Sequence, residues 1–199
     1  MSIIKYFYII FQSLAFKFIY LKLINILFKN WKLGERISWG LFSTFIFSPK
    51  AYIQIGSDVV FSNSIYNPTI SKKCKLIVSS NATLVIGNNN GFSGLSLYCS
   101  KEIIIGDNLV CGGNVSIWDS DFHQLNSIDR KQNTGTIHSK KIEIGDDIFI
   151  GANSIILKGV KIGNRSIIGA GSVIRKDIGE DELWVGNPAK FIKHLSNSE

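Results

Sequence analysis

The sequence predicts an all-β fold in which the chain winds as a parallel coil of short, three-sided turns. Three observations predict it. Ile144, Ile150, Ile156, Ile162, Ile168 and Ile174 recur every six residues without a slip. Glycine follows four of them, as Gly145, Gly151, Gly163 and Gly169, with Asp146, Asp147, Asn153 and Asn164 close behind. Four residues after each isoleucine stand Ile148, Ser154, Val160, Ser166, Ser172 and Ile178, all small or β-branched.

A helix cannot use this period, because at ~100° per residue successive isoleucines would spread around its surface. A hairpin sheet would show period two with turn pairs. Period six works when each hexad makes one short straight side and one corner, with isoleucine stacking inward about 4.8 Å from the next coil. Gly, Asn and Asp suit the corners, where a positive φ is cheap for them.

Taken in order, residues 1–49 are expected to be a hydrophobic, basic helical segment. They hold an apolar stretch, residues 3–28, whose longest uncharged run is the 11 residues Tyr6 to Phe16. That is short of the ~20 residues a spanning helix needs. Lys22, Asn25, Lys29 and Lys32 fall on one helical stripe, and Lys5 with Gln12 on another, which reads as two helical pieces or one kinked helix. No small-residue cleavage site follows, which argues against a signal peptide. Through residues 1–32 this segment either lies on an anionic membrane surface as a peripheral contact or packs on the protein's own body or a partner subunit.

Residues 50–179 carry the coil. Three hexads complete a turn of 18 residues, and roughly six coils fit. The phase continues upstream through Ile105-Gly106, Cys111-Gly112 and Ile117-Trp118 to His123, with weaker traces at Ile55-Gly56, Phe61, Ile86-Gly87 and Phe92. From His123 to Ile144 is 21 residues, not a multiple of six. Residues 124–141 are polar and aperiodic, so they read as a loop ejected from the coil, and loops of this length are usually functional. The chain leaves the coil just after a histidine. Residues 180–199 form a C-terminal cap, in which Asn187-Pro188 is expected to end the coil and start a short helix carrying Lys190 and Lys193.

Composition narrows the function. The 199 residues suit one domain, and 45% apolar with 19% charged content is that of a folded chain. Three scattered cysteines rule out a disulfide scaffold and suit a reducing compartment. Of the net charge of +7, residues 1–50 hold +6, so a basic groove for nucleic acid is not expected on the coil. His123, His138 and His194, spaced 15 and 56 apart, do not read as a zinc set, so no metal is expected. Cys111 falls on an inward position and reads as an inert core thiol.

The run from Ile144 to Ile178, followed by VGNPAKFIK, resembles the maltose and galactoside O-acetyltransferase branch of the hexapeptide-repeat acyltransferases. The segment SIWDSDFHQL resembles the catalytic-histidine segment of the branch that acetylates O-antigen and capsule sugars. The resemblance is close over residues 100–195 and looser over 50–100. It implies a left-handed parallel β-helix, a homotrimer, and acetyl-CoA as co-substrate. It also implies a glycan or lipid-linked sugar acceptor, and the basic N-terminus leads to the expectation that this acceptor is used in the cytoplasm at the inner membrane face.

On that resemblance His123 is the general base, its neutral imidazole removing a proton from an acceptor hydroxyl. Read from spacing alone, it is more readily a polar corner residue capping the coil before the loop. Asp119 or Asp121 would orient the ring, although aspartate is also an ordinary corner residue. Trp118 packs on the coil exterior or lines the acceptor groove. Asn114 is an αL corner residue or an acceptor or oxyanion contact. Carried over by position, contacts to acetyl-CoA fall on Ala152, Ala170, Arg175, Lys176, Lys190 and Lys193. Small residues would admit the pantetheine arm and cations would meet the phosphates. The chain departs from the family at Phe149, where tryptophan is frequent, and at Arg175, where threonine is. Two other functions fit less closely: N-acylation of an amino-sugar nucleotide, and a non-enzymatic β-helix scaffold.

Overall fold

The computed structural model describes residues 7–8, 28–40, 43–63 and 72–196. Six coils wind through it, each contributing one strand to each of three sides. The first coil holds β2 (Trp31–Leu33), β3 (Ser38–Trp39) and β4 (Thr44–Phe47). The second and third hold β5 (Tyr52–Ile55), β6 (Val60–Ser62), β7 (Lys75–Val78), then β8 (Thr83–Ile86), β9 (Gly91–Ser93), β10 (Ser96–Cys99). The fourth holds β11 (Glu102–Ile105), β12 (Val110–Gly113) and β13 (Ser116–Trp118). After the loop come β14 (Ile142–Ile144), β15 (Phe149–Ile150), β16 (Ile155–Ile156), then β17 (Lys161–Ile162), β18 (Ile167–Ile168), β19 (Val173–Ile174). Between β2 and β19 neighbouring strands on every side run parallel, the architecture of a parallel β-helix and consistent with a left-handed one.

The isoleucine ladder explains the stacking. Ile144 pairs with Ile162, Ile150 with Ile168 and Ile156 with Ile174, each 18 residues on, so three hexads close one coil. All six are buried, as are the small or β-branched residues four places later. Every inward side chain therefore lies on another, and the core is a single column of Ile, Val, Leu, Phe and Cys along the axis.

The corner between the first and second sides repeats the same solution in each coil. Arg36, Asp58, Asn89, Asn108, Asp147, Arg165 and Asp181 all take positive φ there, between 53° and 59°. A stack of glycines runs beside them. A Cβ on Gly87 would meet the carbonyl oxygen of Gly106 at 2.6 Å, which is why glycine follows isoleucine at this corner.

Two expectations for the ends are corrected. Residues 31–47, expected to be helical, are strands of the first coil, because Trp31, Trp39, Phe45 and Phe47 alternate inward to close the core's end. The coil thus begins a full turn before residue 50. Within the expected helix, β1 (Phe7–Tyr8) is extended and pairs antiparallel with β4, while residues 9–27 lie outside the described residues. At the other end the described residues form no helix. Residues β20 (Glu182–Gly186) and β21 (Ala189–His194) form an antiparallel hairpin that turns at Asn187 and Pro188 and caps β18. Proline serves a tight turn as readily as a helix start, and Glu182–Gly186 extends the second side by pairing with β18.

Among the described residues no helix is long and apolar enough to cross a membrane.

Candidate active site

The loop leaves at the corner between the third and first sides, where in the regular hexads no glycine directly follows the inward isoleucine. Trp118, Leu157 and Arg175 follow the inward isoleucines there. Its stem is zipped: Ser120 bridges Ser139 antiparallel, and Asp121 N–H donates to His138 O at 3.1 Å. Beyond the stem the loop is not structureless, since α1 (Ser127–Gln132) folds there with Asn126 as its N-cap. Arg130 reaches back to donate to the carbonyls of Gln124 (2.9 Å) and Leu125 (3.1 Å), fixing the segment just after His123.

His123 sits at the crown of this stem. It is exposed and has no hydrogen-bond or ion-pair partner among the described residues. An unencumbered imidazole on an anchored backbone can take a proton from a hydroxyl that approaches from solvent.

The two aspartates behave differently. Asp119 is fully buried, and its carboxylate accepts from the N–H groups of Ser100 (2.7 Å), Lys101 (2.6 Å) and Glu102 (2.9 Å). It holds the preceding coil's corner in place of an orienting role on His123. Burial pushes its carboxyl above the usual range, against the pull of those three donors. Asp121 stands at the loop stem with Oδ2 2.8 Å from Lys158 Nζ, a close charge contact with both side chains largely covered.

Phe122, between Asp121 and His123, has φ +63°, a left-handed conformation rare for a bulky residue. Its ring lies 4.8 Å from that of Tyr98 and 5.7 Å from that of Trp118. Trp118 therefore lies outward on the third side, part of an aromatic cluster beside His123. Phe122 and Lys158 escaped sequence reasoning. A phenylalanine in a polar stretch carries no signal of its own, and Lys158 meets Asp121 only through stacking of coils.

Asn114 occupies the corner between the second and third sides with φ +62°. Its amide is committed to that corner: Oδ1 accepts from Lys72 N–H at 3.0 Å and Nδ2 donates to Asn153 Oδ1 at 3.2 Å. These bonds tie the corner to its neighbours as a ladder between coils. Ala152 and Ala170 stack on the same corner, where a Cβ on Gly112 would lie 2.6 Å from Ala152 N. The coils approach there as closely as backbone allows.

The six residues expected to meet acetyl-CoA fall into two groups. Ala152 and Ala170 line the corner between the second and third sides, with exposed Lys190 and Lys193 on the hairpin at the end of the second side. Exposed Arg175 and Lys176 follow β19, at the corner from which the loop departs. By register they lie two coils beyond Trp118, about 10 Å along the axis. The third side, bearing Trp118, Ile155 and Val173, lies between the groups. His138 and His194 are exposed. Among the described residues no cluster of His, Cys, Asp and Glu could hold a metal ion.

A family model described as bacterial transferase hexapeptide (six repeats) matches residues 141–176. A galactoside O-acetyltransferase of Lactococcus lactis is 34% identical over 105 residues, 53% of this chain and 49% of that protein. The chain spans about half the length of the curated relatives it matches. A hexapeptide-repeat acetyltransferase of Vibrio cholerae, solved with acetyl-coenzyme A, superposes with a TM-score of 0.57 at 23% identity, covering 94% of this chain and 81% of that one. An N-acyltransferase of Bacillus cereus, solved with dTDP and coenzyme A, superposes with a TM-score of 0.58 at 20% identity, covering 94% and 92%. What these two solved structures share with the chain is the fold.

Proposed function

The chain carries the hexapeptide repeat of the bacterial transferases, and on that footing we propose that it is an acetyl-CoA-dependent O-acetyltransferase. Its acceptor is a sugar hydroxyl of a surface polysaccharide or of a polysaccharide precursor. The observation that carries this reading is His123, an exposed imidazole without a partner among the described residues, held on an anchored stem where the coil opens. Its neutral ring accepts the acceptor's hydroxyl proton as that oxygen bonds to the acetyl carbonyl carbon. The carbon–sulfur bond then breaks, and the imidazolium returns the proton to the departing thiolate sulfur. Arg175, Lys176, Lys190 and Lys193 supply charge for the phosphates. The galactoside O-acetyltransferase of Lactococcus supports the choice of a sugar acceptor.

The working assembly is a homotrimer, and its place is the inner face of the cell membrane, reached through residues 1–32. Retention in the membrane fraction through a low-salt wash and release at high salt would support that placement. A protein wholly in the soluble fraction would oppose it.

His123→Ala tests the chemistry. Transfer should fall by about 10²–10⁴-fold while acetyl-CoA still binds. Retained transfer ends the proposal. A product stable to mild alkali would be an amide, favouring N-acylation of an amino-sugar nucleotide; the Bacillus N-acyltransferase that shares the fold was solved with dTDP and coenzyme A. Absence of both transfer and acetyl-CoA binding in the unmodified protein would leave a non-enzymatic scaffold.

A further inference from the structure

The loop stem leaves one bulky apolar side chain where solvent would ordinarily have a polar one. Phe122 is 39% exposed, and its backbone takes the left-handed conformation with φ +63°. Relaxing that backbone would turn the ring away from Tyr98 and Trp118. Instead the ring is held at 4.8 Å from the first and 5.7 Å from the second, so three aromatic rings make one continuous surface on the outside of the coil. Strain of this kind persists only where surrounding structure enforces it, and it gathers at ligand sites. Here the enforcement is visible: Phe122 N–H donates to Ser120 Oγ at 3.2 Å, and the neighbouring Asp121 is tied to Lys158.

The surroundings of this surface are polar. The Tyr98 hydroxyl meets Ser79 Oγ at 3.3 Å, the Asp121 and Lys158 charges stand beside it, and His123 is the next residue along the chain. An apolar face with hydrogen-bonding groups around it matches one ligand chemistry closely. A pyranose ring presents a face of axial C–H groups with hydroxyls projecting from its edge. The C–H face excludes water by lying on aromatic carbon, while the edge hydroxyls remain free to meet donors and a base.

We propose that Tyr98, Trp118 and Phe122 form the platform on which the pyranose acceptor lies, with Phe122 setting acceptor affinity. The inference rests on the acetyltransferase reading and adds to it the place where the sugar binds. An adenine ring would also stack on aromatic carbon. The cations suited to its phosphates, Arg175 and Lys176, stand two coils away, and the platform adjoins the base, which favours the sugar.

Two measurements test it, using the full chain with methyl glucopyranoside, methyl galactopyranoside and methyl N-acetylglucosaminide. Saturation-transfer NMR should show one face of at least one pyranoside saturated preferentially in the unmodified protein. That effect should vanish in Phe122→Gly, which keeps the positive φ, and return in Phe122→Tyr. No face-selective saturation in the unmodified protein overturns the proposal. In kinetics, Phe122→Gly should raise acceptor KM about tenfold with the KM for acetyl-CoA unchanged. A rise in acetyl-CoA KM instead assigns the rings to the donor and overturns it. If the unmodified protein binds acetyl-CoA yet transfers to no pyranoside, the acetyltransferase reading falls separately, and the NMR result alone judges the platform.

Discussion

Lys158 Nζ lies 2.8 Å from Asp121 Oδ2, so the first turn of the loop carrying His123 is fastened to the coil that follows it. The two residues are 37 apart in sequence and meet because the coil brings the chain back to the same corner. Both side chains are less than a quarter exposed. Removing the lysine leaves a largely covered carboxylate without its counter-charge. Lys158→Met should cost about 1–3 kcal/mol, between the values of exposed and fully buried pairs. Urea unfolding measures that loss. Asp121→Asn combined with Lys158→Met should recover part of it, since no uncompensated charge remains. If His123 depends on this anchor, transfer falls in the single variant more than in the double.

Asp119 makes the opposite case: an aspartate beside the candidate base whose work is structural. Asp119→Ala would strand three backbone N–H groups in a buried corner, for a loss of about 3 kcal/mol or more. Asp119→Asn keeps one oxygen acceptor and should lose less. The pH dependence has a defined sign. Burial raises the folded carboxyl above its ordinary 3.8, so the folded state holds this proton to higher pH than the unfolded chain does. This contribution to stability is full below 3.8 and is lost as pH rises through the raised value. Asp119→Asn, which does not titrate, should flatten that part of the unfolding curve. Transfer by the folded variant should match that of the unmodified chain, since the Asp119 carboxylate is spent on backbone N–H groups.

How far the sequence reveals the fold depends on how regular each coil is. In the last two coils every side is a hexad, so the isoleucines declare the period openly. Upstream the turns lengthen: Ile86 pairs with Ile105 after 19 residues, Leu97 with Ile117 after 20, and Trp31 with Ile53 after 22. Each extra residue shifts the phase and erases the repeat, although strands still stack. The first coil is harder still, because large aromatics replace isoleucine at the end of the core, and a stretch rich in Phe, Trp and Ile reads as helix or strand alike. The place of His123 beside the ejected loop was legible because the repeat breaks there. The missing glycine at Trp118, Leu157 and Arg175 marks the same corner. The roles of Asp119 and Asn114 were not legible, since a carboxylate or amide that bonds backbone one coil away looks in sequence like one that faces solvent.

The three thiols offer a check on the core. Cys74, Cys99 and Cys111 are all buried, and burial pushes each thiol up, Cys74 to about 11. None should react with Ellman's reagent in the folded protein at neutral pH, and all three should react in denaturant. The linkage sign follows. A thiol raised in the folded state retains its proton while the unfolded chain gives its own up, so stability is intact below the ordinary 9.0 and declines as pH climbs towards 11. Denaturant midpoints should therefore fall over that range, and less in Cys74→Ala than in the unmodified chain. A native thiol that labels rapidly would place that cysteine outside the core.

Two glycines on the second side, Gly91 and Gly112, separate coil contact from mere conformational freedom. Neither has a positive φ, so alanine is conformationally acceptable at both. Around Gly112 an added methyl would lie 2.6 Å from Ala152 N, a backbone atom of the next coil that cannot step aside. Around Gly91 nothing lies within 4 Å. Gly112→Ala should accordingly cost about 1–3 kcal/mol by prising two coils apart. Gly91→Ala should gain about 0.4–1 kcal/mol, because alanine restricts the unfolded chain and meets no obstacle in the folded one. Urea unfolding of both variants reads the difference directly. If the acyl donor meets the corner of Ala152, as the proposed function expects, Gly112→Ala should also weaken acetyl-CoA binding, while Gly91→Ala leaves it untouched. Equal stabilities for the two variants would mean that the coils do not pack as closely at this corner as the glycine requires.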